Sequence, residues 1–138
     1  MSFALRILTP DQTLFLGQAE HLRVPTPQGY VGIRSGHAPL YTTLAPGEGS
    51  YVTPEHTVPF VVFGGILEID ETHQVTLLGD AEAIDTLPTE ASIQAAITRA
   101  EEAMKRPMYA NDLAYAEAAA QLARELLRYK LATKYRRS

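Results

Sequence analysis

The chain carries four histidines, His21, His37, His56 and His73, and no cysteine in its 138 residues. Imidazoles hold a metal when several converge, which a sequence shows as close spacings such as His-x-His or His-Glu-x-x-His. Neither spacing occurs, so no metal site is expected. Ser35 stands in Gly32-Ile33-Arg34-Ser35-Gly36, which lacks the elbow pattern that exposes a nucleophilic serine. A phosphate-cradling loop needs glycines just ahead of a helix. All nine glycines lie at or before Gly79, ahead of the helical region. These residue types support binding rather than bond making, and no enzyme is expected. The chain's cations gather at one end. Residues 124–138 hold Arg124, Arg128, Lys130, Lys134, Arg136 and Arg137 against Glu125 alone, a local charge of +5. The other 123 residues carry −9. A basic end on an acidic body fits an anionic partner, and it equally fits cations placed favourably at a helix C-terminus. Only Tyr129 and Tyr135 are interleaved there, too few aromatics to expect nucleic-acid stacking.

Two kinds of element must position these groups. Glycine serves turns and weakens helices, whereas alanine is the best helix former. The chain is divided on this line: glycine stops at Gly79, and thirteen alanines follow between Ala91 and Ala132. The pattern predicts a β domain over 1–86 and a helical domain over 87–138. Phe3, Leu5 and Ile7 alternate in a first strand. Further strands are expected through Leu14–Leu16, His21–Val24, Gln28–Ile33, Tyr41–Leu44, Ser50–Thr53, Val58–Phe63, Gly65–Asp70 and Gln74–Leu78. Turn signals recur every 8–12 residues or so, the spacing of a sandwich or barrel. Gly64-Gly65 inside an apolar stretch marks a sheet corner or a packing surface, the corner being the reading that residue types favour. Ile93, Ile97, Ala100 and Met104 lie on one face of a first helix, which Pro107 ends. Asn111 is expected to cap a second helix, with Leu113, Ala116, Ala120, Ala123, Leu127 and Leu131 as its buried stripe. A stripe so rich in alanine buries little apolar surface, so the helical hairpin is expected to open more easily than the β body. The apolar run Phe60–Leu67 is far too short to span a bilayer, and no signal peptide is read at the start.

The order of motifs goes further. Gly29-Tyr30-Val31-Gly32-Ile33 leads into Gly36-His37-Ala38-Pro39-Leu40. Phe63-Gly64-Gly65-Ile66-Leu67-Glu68-Ile69 follows, then Val75 to Glu82 and the alanine-rich pair of helices. Over roughly residues 3–133 this resembles the epsilon subunit of the F-type ATP synthase. The resemblance implies an α+β chain by segments, a ten-stranded antiparallel β sandwich followed by a two-helix hairpin. It implies a non-catalytic rotor subunit in the central stalk, coupling ion flow to ATP synthesis. Its partners would be the gamma subunit and the c ring, met through Gly29, Tyr30, Gly32, Gly36, His37, Ala38, Pro39 and Leu40 at one end of the sandwich. Many relatives have a carboxylate where this chain has Tyr30. The helices would extend to inhibit ATP hydrolysis, with Lys130, Lys134, Arg136 and Arg137 touching the alpha/beta catalytic head. Arg99, Arg124 and Arg128 match arginines with which some relatives hold regulatory ATP. The aspartate and arginine that open that motif are missing from Leu87–Ile93, so weak or absent ATP binding is expected and no cofactor is assigned. The implied location is peripheral, on the cytoplasmic face of a bacterial inner membrane, with a thylakoid or other energy-transducing membrane as the alternative. From the residues alone, a free-standing β-sandwich ligand binder with a helical oligomerisation hairpin competes with this reading.

Overall fold

A computed structural model describes residues 1–105 and 112–136. The chain forms two compact units that divide between Ala83 and Ile84. The first contains eight strands: β1 (Phe3–Leu8), β2 (Thr13–Ala19), β3 (His21–Thr26), β4 (Gly29–Ile33), β5 (Leu40–Leu44), β6 (Gly47–Val52), β7 (Thr57–Ile69) and β8 (Val75–Ala83). The second contains a single 3-10 turn (Ile84–Thr86), α1 (Glu90–Met104) and α2 (Asp112–Tyr135).

One continuous sheet makes both layers of the sandwich. Its order is β2-β1-β8-β7-β6-β3-β4, and β5 also bonds to β7. The strand β7 does double duty along one edge: Thr57–Val62 pair with β6, and Gly65–Ile69 pair with β5. Its other edge pairs with β8 throughout, with a bulge between Val62 and Gly64. The first layer therefore takes β2, β1, the start of β8, the end of β7 and β5. The second takes the remainder of β8 and β7 with β6, β3 and β4. Alternation along each strand turns one side chain in two toward the space between the layers. Phe3, Leu5 and Ile7 of β1, Leu22 and Val24 of β3, Phe60 and Val62 of β7, and Val75 and Leu77 of β8 fill it as one core. Each such side chain stabilises the fold by about 1.5–3 kcal/mol on burial.

The sandwich and helical pair agree with the expected fold class, while the strand count and one pairing differ. Eight strands are described where the resemblance implied ten, and the expected Val58–Phe63 and Gly65–Asp70 are not two strands but the two halves of β7. Gly64-Gly65 bends the strand without ending it, at φ of 155° and 138°. The pair is the sheet corner. One pairing is parallel, β1 against β8. β3 also runs on through Pro25, which the sequence marks as its end. Its ladder with β6 stops at Arg23, so a proline there costs no bond on that side.

The end of the sandwich near β5 is closed by two loops. In the tight connection from β7 to β8, the Asp70 carboxylate accepts from the Thr72 backbone N–H (2.9 Å), the Thr72 hydroxyl (2.7 Å) and the Gln74 backbone N–H (3.0 Å). His73 at the tip has a φ of 65°, unusual for a residue with a side chain. The Thr72 hydroxyl and then the Gln74 amide hold the Asp70 carboxyl below its ordinary value of 3.8.

The helical unit opens with Thr89, whose hydroxyl accepts from the Ser92 N–H (3.2 Å) as an N-cap. Pro88 therefore precedes the helix rather than sitting in its first turn. Ile93, Ile97 and Ala100 are buried as expected. The helix stops at Met104 with Lys105 as its C-cap, and Pro107, expected to end it, lies outside the described residues. Asn111 also lies outside them. The stripe expected on α2 is only half right. Leu131 is buried and Leu127 half-buried, but Leu113, at 69% exposure, and Ala116, Ala120 and Ala123 face solvent. The inward face instead runs through Ala118, Leu122, Glu125, Leu131 and Ala132.

Two outcomes test this architecture. A methyl on Gly79 would lie 2.3 Å from the Gly64 carbonyl oxygen, whereas one on Gly29 meets nothing within 4 Å. Gly79→Ala should cost about 3 kcal/mol in denaturant unfolding of the sandwich, and Gly29→Ala, strained only by its positive φ, about 1 kcal/mol. Equal losses would remove the close approach as the cause. The Asp70 loop should respond to acid in one direction. A carboxyl depressed by folding contributes stability that is complete above its unfolded value, here 3.8, and is lost as pH falls through the lower folded value. Amide protection at Thr72 and Gln74 should drop in that window, and Asp70→Asn should abolish the pH dependence.

Candidate partner interface

Of the eight sandwich residues singled out in the sequence, Gly29, Tyr30 and Gly32 lie on β4, Gly36, His37, Ala38 and Pro39 lie in the loop after it, and Leu40 opens β5 of the first layer. β4 is an edge strand, bonded to β3 alone. Gly29 opens it at a turn pinned by Thr26, whose hydroxyl donates to the Gly29 carbonyl (2.6 Å) and accepts from the Gln28 N–H (3.2 Å). Gly36, His37, Ala38 and Pro39 follow the other end of the strand. The five residues of β4 place Gly29 and Gly36 at opposite ends of the strand, roughly 15 Å apart, with Tyr30 and Gly32 between them. The residues thus run along β4 and through the loop that leads to β5.

Tyr30 is 47% exposed and carries the Arg23 guanidinium over its ring, 3.6 Å from the centroid. Register explains the pair: Arg23 faces Gly32 and Pro25 faces Tyr30, so the two side chains are diagonal neighbours. A methyl on Gly32 would come 3.2 Å from the His21 ring. Burial, then Arg34 and Arg23, push the His21 pKa down. The local field at this edge is consequently positive, in a unit whose overall charge is negative. Neither Arg23 nor Arg34 forms an ion pair among the described residues.

Beyond β4, Gly36 adopts a φ of 84° in a turn closed by the His37 N–H to the Arg34 carbonyl (3.2 Å). The His37 ring Nδ1 donates to the Ala38 carbonyl at 2.8 Å. A carbonyl only accepts, so Nδ1 holds the proton. The His73 ring donates in the same way to the His37 carbonyl at 3.1 Å. Two loops far apart in sequence are thereby joined, and His37 acts as a turn-fixing residue. His73 carried no sequence signal for this, because the link depends on which loops the sheet brings together. Among the described residues no group of three or more His, Asp or Glu could hold a metal.

The basic candidates divide in the helical unit. Lys130 and Lys134 are exposed, one turn apart on α2. Arg136 is not directed outward: its guanidinium donates to the carbonyls of Leu87 (2.6 Å) and Pro88. Arg137 lies outside the described residues. Arg99 lines an open groove with Ala96, Ala100, Ala103, Ala118 and Gln121. Gln121 donates to the buried Glu125 carboxylate at 2.7 Å, and Arg128 pairs with the same oxygen. Arg124, half-buried, is the residue just before Glu125. A carboxylate therefore already occupies the Arg128 guanidinium where the sequence offered it to a phosphate.

A family model described as ATP synthase, Delta/Epsilon chain, beta-sandwich domain matches residues 2–83. An ATP synthase epsilon chain of Chloroflexus aggregans is 35% identical over 133 residues, covering 96% of this chain and 93% of the relative. An ATP synthase epsilon chain 1 of Thiobacillus denitrificans is 34% identical over 139 aligned residues, covering 99% and 96%. A chain in the mitochondrial ATP synthase of Euglena gracilis, solved as OSCP/F1/c-ring, shares the fold with a TM-score of 0.76 at 17% identity, over 97% of this chain and 82% of that one. A chain of the Tetrahymena thermophila mitochondrial ATP synthase central stalk and c-ring does so with a TM-score of 0.62 at 13% identity, over 96% and 98%. With its sandwich matched by the family model and relatives aligned over both units, the chain belongs to the ATP synthase epsilon chain family, a family of non-catalytic subunits.

Proposed function

We propose that this chain is the central-stalk subunit that couples ion flow through the c ring to ATP synthesis, and that its helical unit restrains ATP hydrolysis. The observation that carries the reading is full-length similarity: curated epsilon chains align across both units, not across the sandwich alone. The exposed edge of β4 and the His37 loop supply the surface for gamma and the c ring. An edge strand offers unpaired backbone groups as well as side chains to a partner. Where a carboxylate is common in relatives, Tyr30 under Arg23 replaces a negative contact with a packed, positively charged one. The location that follows is peripheral, on the cytoplasmic face of a bacterial inner membrane. No helix among the described residues is long and apolar enough to cross a membrane.

In the extended state the exposed Lys130 and Lys134 meet the acidic surface of the catalytic head. Regulation by ATP is weak or absent, because Glu125 engages Arg128 and the opening of the nucleotide motif is missing. Labelled ATP at micromolar concentration should leave the isolated chain unoccupied; saturable binding would overturn that assignment. The coupling role is tested by purifying the assembly through a tag on this chain and identifying its partners by mass spectrometry. Gamma and c subunits are expected, and a homodimer free of both would support the ligand-binding alternative instead. In the same preparation, truncation after Lys105 should raise hydrolysis about fivefold. An unchanged rate would remove the inhibitory role and leave the coupling role standing.

A further inference from the structure

The base of the helical hairpin is closed by one side chain. Arg136 follows the last residue of α2, and its guanidinium reaches 49 residues back along the chain to the Leu87 carbonyl. A second nitrogen of the same group donates to the neighbouring carbonyl of Pro88. These two acceptors stand just before the N-cap Thr89. The helix ladder of α1 starts later, with Ile93 N–H on the Thr89 carbonyl, so Leu87 and Pro88 have no helical partner to lose. The planar fork of arginine suits two adjacent acceptors, which a lysine cannot meet together. The site is packed as well as bonded. Leu87 and Ile84 are buried, the 3-10 turn touches α2, and Leu131 and Ala132 are the most buried residues of α2.

We infer that Arg136 is the latch of the hairpin, fastening the end of α2 to the segment that leads into α1. The bonds demand that the first turn of α1 and the last turn of α2 stay side by side. Helices that separate must break both bonds and return a guanidinium and two carbonyls to water. The latch also sets two uses of one cation against each other. While its fork faces Leu87 and Pro88, Arg136 is withdrawn from any external anion. Once released, it joins Lys130 and Lys134 on a more basic end. An acidic partner that engages Arg136 therefore favours the open hairpin by differential binding. The latch itself stands on the hydrogen bonds, and only its consequence for the catalytic head rests on the function proposed above.

Hydrogen exchange of the isolated full chain reads the latch without any partner. Arg136→Ala should speed exchange across residues 87–97 and the last turn of α2 by about tenfold, the scale of a lost charge-assisted bond. Arg136→Lys should keep the charge, recover one bond and fall between. Lys130→Ala, which removes a nearby exposed charge, should match the parent chain. Sandwich amides should be unchanged in all three. Equal exchange in Arg136→Ala and the parent chain overturns the latch, as does equal acceleration by Lys130→Ala. Because hydrolysis by the complex is not part of this measurement, loss of the inhibitory role and loss of the latch are separate outcomes.

Discussion

A carbonyl oxygen and an α-carbon leave no room for a side chain where β7 passes β8. Cβ atoms built on Gly65 and Gly79 would fall 2.5 and 2.3 Å from backbone oxygen of the opposite strand. That contact lets a single sheet turn back on itself. With it, β7 serves β6 along its first half and β5 along its second, and eight strands enclose one core. Two flat layers joined by a separate crossover would need more chain and would leave more strand edges bare. The corner therefore fixes more than local geometry. The second layer it creates ends at β4, which bonds only to β3 and leads into the His37 loop.

The helical unit is held by a different balance. Its α1 face presents Ile93 and Ile97, but the facing surface of α2 is built mostly from alanine and leucine around a carboxylate. A buried ion pair is weak evidence for stability, since desolvation takes back most of what attraction supplies. Glu125 is better understood through what it prevents. Its pairing with Arg128 and Gln121, all on α2, engages the cation from within one helix, so an outside anion must compete with that carboxylate for the guanidinium.

Much of this was legible in the residues, and the failures share a cause. Alternation located every strand because one face is buried, and the Gly64-Gly65 pair showed a corner because no other residue fits one. The count of strands was not legible, since a bend and a break have the same glycine signature. On α2 the expected stripe rotated, because alanine is nearly indifferent to burial and cannot mark a face. The true face contains Glu125, which a hydropathy pattern places outside. The His73 bond to the His37 carbonyl and the Arg136 bonds to Leu87 and Pro88 were invisible for a further reason. Each is a side chain meeting a backbone oxygen, and every residue offers the same oxygen, so its partner carries no sequence mark.

The charge of the C-terminal end takes on a new meaning once its contacts are known. Counted from composition, residues 124–138 are a +5 segment awaiting an anion. In the closed hairpin that charge is divided by use. Arg128 is bound to Glu125, and Arg136 is bound to two carbonyls. Lys130 and Lys134 remain at the surface. Arginine has been kept for the inward contacts, where a rigid fork and weak hydration favour directed bonds, and lysine for the outward positions, where strong hydration is an advantage. Composition gives the tail the same charge in every state. The contacts make the availability of Arg128 and Arg136, though not their charge, depend on whether these bonds are kept.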